Sequence, residues 1–159
     1  MSAFKGDHIT VQYEMHLDFP AEKIWPQLCP IREYDWIEDW ECEMLHSESG
    51  FNERGCVFRT NVHTEGGPDI WLTCRFDPME QIEFVRTNAW RIAHYIIELE
   101  PAQNGTRLIW TQHVTALNEE GNEYVKQWPD AFKATIIRLE KMLAHFLATG
   151  TMLRGDDKD

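Results

Sequence analysis

The sequence predicts an α+β fold: a curved antiparallel sheet of seven strands with two short helices near its start and a long helix at its C-terminal end. Three observations predict it. An opening segment alternates in hydropathy with a period of two, turn residues cut the middle of the chain into β-rich runs, and the last third changes to a helical period.

The alternation runs from His8 to Asp18. Ile9, Val11, Tyr13, Met15 and Leu17 fall on one side, and Thr10, Gln12, Glu14, His16 and Asp18 on the other, as in a strand with one buried face. Phe19-Pro20-Ala21-Glu22-Lys23-Ile24-Trp25 reads as a helix opened by proline, kept short by Pro26 and Pro30. A second short helix is predicted from Glu33 to Asp39. Gly50 and Gly55, Gly66-Gly67-Pro68, Asp77-Pro78 and Pro101 to Gly105 then mark four turns. The runs between them, 56–62, 70–76, 81–86, 90–100 and 107–117, are rich in β-branched and aromatic residues. With 41–46 and the first strand these make seven. Val125, Trp128, Phe132, Ile136, Leu139, Leu143 and Phe146 recur at spacings of three and four, one apolar stripe on a helix ended by Gly150. Pro129 is expected to kink that helix or to mark the end of a looser first segment.

A chain of 159 residues is expected to form one domain, able to bury roughly 70 % of its unfolded surface. Seven Trp and eight Phe suggest that something large and apolar is being lined. Fifteen basic against twenty-seven acidic residues give a net charge of −12 with no basic cluster, so nucleic acid and anionic membrane surfaces are disfavoured partners. The first eight residues lack an apolar signal core, and no apolar run is long enough to span a bilayer. A cytoplasmic protein without membrane insertion is expected, with the acidic tail at about 154–159 disordered. Cys29, Cys42, Cys56 and Cys74 form no C-x-x-C pair and read as free thiols. No cluster has metal-ligand spacing and no cofactor motif is present, so neither metal nor cofactor is expected.

Three segments resemble a known superfamily. Phe19 to Leu28 is similar to its opening motif, a strand end followed by Pro-Ala-Glu-x-Val-Trp and a leucine. Glu98-Leu99-Glu100-Pro101 through Gly105-Thr106-Arg107-Leu108-Ile109-Trp110 is similar to its penultimate hairpin, and Arg138 to Leu143 to its closing helix. The family is the START-like or birch-pollen-allergen-like superfamily, in its polyketide cyclase/dehydrase-like branch. The resemblance covers nearly the whole chain and implies a helix-grip fold with a deep cavity between sheet and C-terminal helix. It leaves open what the cavity holds, because one fold hosts many functions.

The hairpin lets the inner face be derived. A two-residue loop at Asn104-Gly105 pairs Leu99 with Trp110, Ile97 with Gln112 and Tyr95 with Val114, and lengthening it by two residues keeps each side chain on its face. The more polar set, including His94 and His113, then faces solvent, which removes the most tempting catalytic pair. Alternation elsewhere places Phe58 and Thr60, Ile70 and Leu72, and Phe84 with Arg86 inward. The predicted ligand-lining set is completed by Trp25, Leu28, Trp36 and Trp40 from the helical region, Leu108 from the hairpin, and Trp128, Phe132, Thr135, Ile136 and Leu139 from the long helix. An inward Arg86 must be paired or wet and would suit a ligand carboxylate or carbonyl; it reads equally as a strand-end residue whose head reaches solvent. Gln112 has the same standing. The loop from His63 to Asp69 would sit at the mouth.

Three functions follow as expectations. The first is binding or transport of a hydrophobic small molecule, such as a lipid, isoprenoid, polyketide or aromatic metabolite. The second is a cyclase- or dehydratase-like enzyme in the same cavity, which would draw its acid and base from Arg86, Tyr95, Gln112 or a lip residue such as His63 or Glu65. The third is a protein-interaction module of the co-chaperone-like branch, with a filled core and an exposed apolar patch. The first ranks highest because no strong acid or base is predicted both inward and central.

Overall fold

The computed structural model describes residues 3–61 and 65–155; His63 and the end of the acidic tail lie outside them. Seven strands form one antiparallel sheet: β1 (His8–Leu17), β2 (Cys42–His46), β3 (Val57–Thr60), β4 (Asp69–Asp77), β5 (Gln81–Thr87), β6 (Arg91–Ala102) and β7 (Gly105–Ala116), in the order β1-β7-β6-β5-β4-β3-β2. Between β1 and β2 lie the short helix α1 (Ala21–Ile24) and two 3-10 turns, Trp25–Gln27 and Arg32–Asp35. The second 3-10 turn stands where a helix from Glu33 to Asp39 is predicted. Asp39 has a left-handed backbone, φ 65°, which a helix cannot continue through.

The long helix α2 (Glu119–Thr149) packs on β1 and β7. Asn118 caps it by accepting the Gly121 amide at 2.9 Å, and Gly150, φ 75°, ends it. Its first turn sits so near the sheet that a Cβ on Gly121 would lie 2.0 Å from the Trp90 carbonyl oxygen. The helix is continuous through Pro129, whose carbonyl accepts the Tyr13 hydroxyl at 3.3 Å. Val125, Phe132, Ile136 and Leu143 of the predicted stripe are buried.

In the β6–β7 hairpin Leu99 faces Leu108, Ile97 faces Trp110 and Tyr95 faces Gln112. The turn is Gln103-Asn104, one residue earlier than predicted, with Asn104 taking the positive φ of 64°. Partners move by two positions and every side chain keeps its predicted face. His94 and His113 are cross-strand partners on the convex side, where His94 Nε2 meets Glu83 Oε1 at 2.6 Å and His113 Nδ1 meets the Thr10 hydroxyl at 2.8 Å.

β4 corrects the prediction. Ile70 and Leu72 face outward, and Leu72 is 42 % exposed; Asp69, Trp71 and Thr73 are the buried, inward residues. Ile70-Trp71-Leu72 is apolar at three successive positions, so alternation names no face. Pairing decides it: Trp71 lies opposite Phe58 and Arg86, and Asp69 opposite Thr60, and directly opposed residues share a face. A bulge between Thr73 and Arg75 leaves Cys74 and Arg75 both exposed and returns Phe76 to the inner face.

Candidate ligand cavity

A two-lobed cavity opens between the inner face of the sheet and α2. The outer lobe, about 290 Å³, is bounded by Arg86, Tyr95 and Gln112 from the sheet, by Glu65 at the mouth, and by Tyr124, Gln127, Trp128, Ala131, Phe132 and Thr135 from α2. The inner chamber, about 120 Å³, is walled by Trp36, Trp40, Phe58, Trp71, Phe84, Ile97 and Trp110, with Thr60, Leu139 and Arg138 at its edges and Glu33 from the 3-10 turn. Arg86, Tyr95 and Thr135 line both lobes. Sites for small molecules span roughly 300–1,000 Å³, so the two lobes together suit a compact ligand.

The walls are rings held by one another. Phe58 stacks on Trp71 with centroids 5.3 Å apart, Phe84 meets Trp71 edge-on at 5.5 Å, and Tyr95 meets Phe132 edge-on at 5.9 Å. Such contacts add about 0.5–1.5 kcal/mol each beyond area burial and hold the chamber's shape. Trp36 and Trp40 are pinned as well, their indole N–H groups donating to the carbonyls of Gln27 at 3.0 Å and Pro30 at 2.8 Å. Trp71 donates to the Thr60 hydroxyl at 2.9 Å.

Arg86 is the polar centre of the shared wall. Its guanidinium lies 4.3 Å over the Trp71 ring, and its Nε donates to Asp69 Oδ2 at 3.0 Å, with Nη2 on the same oxygen. Asp69 also accepts from Arg91 at 2.9 and 3.0 Å and from Asn88 at 2.9 Å. Burial alone would raise the Asp69 carboxyl, but Arg86 and Arg91 hold it below the ordinary carboxylate range. Arg86 is itself lowered, first by burial and then by Arg91, with Asp69 opposing both. Arg86 is thus inward and paired, with a side chain only 12 % exposed rather than a head reaching into solvent, and its Nη1 has no protein acceptor among the described residues. Tyr95 is pushed upward, chiefly by burial, with Gln112 opposite it as its cross-strand partner. The indole N–H groups of Trp110 and Trp128 are buried without an acceptor among the described residues, an arrangement that costs about 1–3 kcal/mol per group when nothing supplies one.

Glu33 was not foreseen. Its backbone is held within the 3-10 turn, the N–H donating to Cys29 O at 2.9 Å and the carbonyl accepting from Ile37 at 2.8 Å. Its carboxyl, set in the aromatic wall, has no hydrogen bond or ion pair among the described residues, and burial pushes it up to about 8. Asp69, Trp71, Tyr124, Gln127 and Arg138 were also missed. Tyr124, Gln127, Ala131, Thr135 and Arg138 do carry a signal, a second run at spacings of three and four beside the apolar stripe.

Of the predicted lining residues, several lie elsewhere. Trp25 and Leu28 border a separate, shallower hollow of about 240 Å³ with Phe51, Asn52 and Phe76. The proline-broken helical region turns them away, and Trp25 packs on Phe76 at 5.3 Å. Leu99, Leu108 and Ile136 do point inward but are sealed in the packed core. Ile70 and Leu72 are on the convex side. Among the described residues no group of three His, Cys, Asp or Glu is placed to hold a metal ion, and no helix is long and apolar enough to cross a membrane. The four cysteines are unpaired thiols.

No family model and no curated protein matches the chain. Solved structures do. An uncharacterized protein from Rhizobium leguminosarum superposes with a TM-score of 0.64 at 18 % identity, over 90 % of this chain and 96 % of that one. SA2116 from Staphylococcus aureus, a protein of unknown function, reaches 0.67 at 12 % identity over 91 % and 96 %. DynU16, a protein of the dynemicin biosynthetic locus, reaches 0.61 at 17 % identity, with 89 % of this chain covering 48 % of that one. At these identities the likeness establishes the fold alone, an antiparallel sheet with a long C-terminal helix, consistent with a helix-grip arrangement.

Proposed function

We propose that this protein binds a hydrophobic small molecule in the cavity between sheet and α2, as the polyketide cyclase/dehydrase-like branch of the START-like superfamily would. The observation that carries the reading is the composition of the wall. Seven aromatic side chains line the inner chamber, and a guanidinium with a spare donor stands between the lobes. A merely well-filled core would leave no such space. The apolar body of a flat ligand would stack in the chamber while an oxygen on it meets Arg86 Nη1. A lipid, isoprenoid, polyketide or aromatic metabolite has this character. The cyclase or dehydratase reading stands second: it adds a proton transfer, for which the chamber offers the Glu33 carboxyl.

The test is ligand-induced stabilisation. A panel of flat hydrophobic compounds at saturating concentration raises Tm, by up to a few kcal/mol of linkage when ligand exceeds Kd a hundredfold. Thr135→Trp, which fills the junction of the lobes, keeps the fold and abolishes the rise. A panel that shifts neither protein overturns the reading.

A further inference from the structure

The inner chamber contains one acid. Glu33 sits on the Arg32–Asp35 turn, among Trp36, Trp40, Phe58 and Trp71. A carboxylate there would need N–H donors or a cation to replace its hydration. None is bonded to it among the described residues: the indole N–H groups of Trp36, Trp40 and Trp71 are committed to Gln27, Pro30 and Thr60, and the indole N–H of Trp110 lines the chamber without an acceptor. Arg138 lines the same chamber without pairing to Glu33, and Arg86 is bound to Asp69. The wall therefore suits the protonated carboxyl, which has one O–H to donate.

The other free polar hydrogens of the cavity are donors too. They are Arg86 Nη1, the guanidinium of Arg138, and the indole N–H groups of Trp110 in the chamber and Trp128 in the outer lobe, which lack an acceptor among the described residues. An anionic ligand would meet Glu65 at the mouth and a chain of net charge −12, and an amine would meet the two guanidinium groups. A neutral ligand bearing acceptor oxygens meets neither objection. We propose that the inner chamber recognises a neutral ligand with a carbonyl-type oxygen, such as an aryl ketone, quinone or lactone, through a hydrogen bond donated to that oxygen by the protonated carboxyl of Glu33. This rests on the reading of the cavity as a ligand site.

The preference for the carbonyl is then lost as Glu33 ionises. Burial pushes its carboxyl up to about 8. The described groups facing it do not titrate over the same range: Cys42 on β2 is pushed up to about 11, Tyr95 on β6 is raised, chiefly by burial, and Arg86 on β5 is a guanidinium paired with Asp69; Arg138 on α2 also faces the chamber. Among the described residues no histidine lines the chamber.

The experiment measures binding of 2-acetylnaphthalene and of naphthalene, neither of which titrates, by tryptophan quenching from pH 6.5 to 9.5. The ketone is expected to bind about tenfold more tightly than the hydrocarbon at pH 6.5, the ratio for one hydrogen bond to a desolvated acceptor. That advantage vanishes by pH 9.5 while naphthalene binding stays level. Glu33→Gln, which keeps a neutral donor, retains the advantage and loses its pH dependence. Glu33→Leu loses the advantage at every pH and still binds naphthalene. Equal, pH-independent binding of the two probes to the unaltered protein overturns the role of Glu33 and leaves the cavity reading standing; a ketone profile unchanged in Glu33→Gln does the same. Binding of neither probe overturns both.

Discussion

Two carboxyl groups on the inner wall show how neighbours decide protonation. Asp69 has two guanidinium partners and is held below the ordinary range, whereas Glu33 has none and is pushed up to about 8. The consequences for stability have opposite signs. Asp69 contributes stability that is present above its unfolded titration and lost as pH falls. For Glu33 the folded state holds a proton that the unfolded chain releases near 4.5, so stability declines as pH rises from about 4.5 to about 8 and is level outside that window. Glu33→Gln removes the titration. Its stability relative to the unaltered protein should therefore improve across that window by on the order of 1–3 kcal/mol, less than the full shift implies because the residue keeps part of its surface open. Urea unfolding at pH 5 and pH 8.5 measures it; a constant difference between the two proteins would contradict the enclosed carboxyl.

Among the elements, α2 does two jobs with two stripes one residue apart. Val125, Trp128, Phe132, Ile136 and Leu143 fasten the helix to the sheet, while Tyr124, Gln127, Ala131, Thr135 and Arg138 form its cavity wall. Trp128 and Phe132 serve both. Apolar periodicity reveals the first stripe because burial selects apolar residues. The second is polar and mixed, so it looks like a solvated face until the helix is docked. The strands divide in the same way: clean alternation made β1 legible and the parity of the hairpin made β6 and β7 so, whereas Ile70-Trp71-Leu72 needed its pairing partners. Docking of α2 begins at its capped first turn, where Gly121 lies against the Trp90 carbonyl. Asn118→Ala removes the 2.9 Å bond to the Gly121 amide and should cost about 1 kcal/mol in chemical denaturation. Because the same turn precedes Tyr124 at the mouth, the loss should appear first as faster amide exchange across residues 121–124.

For the whole molecule, composition announced a lined interior more clearly than it announced which residues line it. Seven tryptophans and eight phenylalanines in 159 residues anticipated the aromatic chamber. The ion cluster of Asp69, Arg86 and Arg91 could not be read off, since its members lie on three strands and meet only through register. Charge acts at this scale as well. With a net charge of −12 the molecule repels anions at long range, even though a guanidinium stands inside the cavity, and the repulsion is screened over about 30 Å at 10 mM salt but about 8 Å at 150 mM. An anionic probe must cross that field before it can reach Arg86; a neutral one need not. Stopped-flow association of 2-naphthoate should therefore quicken several-fold between 10 and 150 mM NaCl, while that of 2-acetylnaphthalene stays within about twofold. A naphthoate rate that falls with salt would mean that the field of Arg86 and Arg91 reaches the mouth and outweighs the acidic surface, and the preference for neutral ligands would then have to come from Glu33 and Glu65 alone.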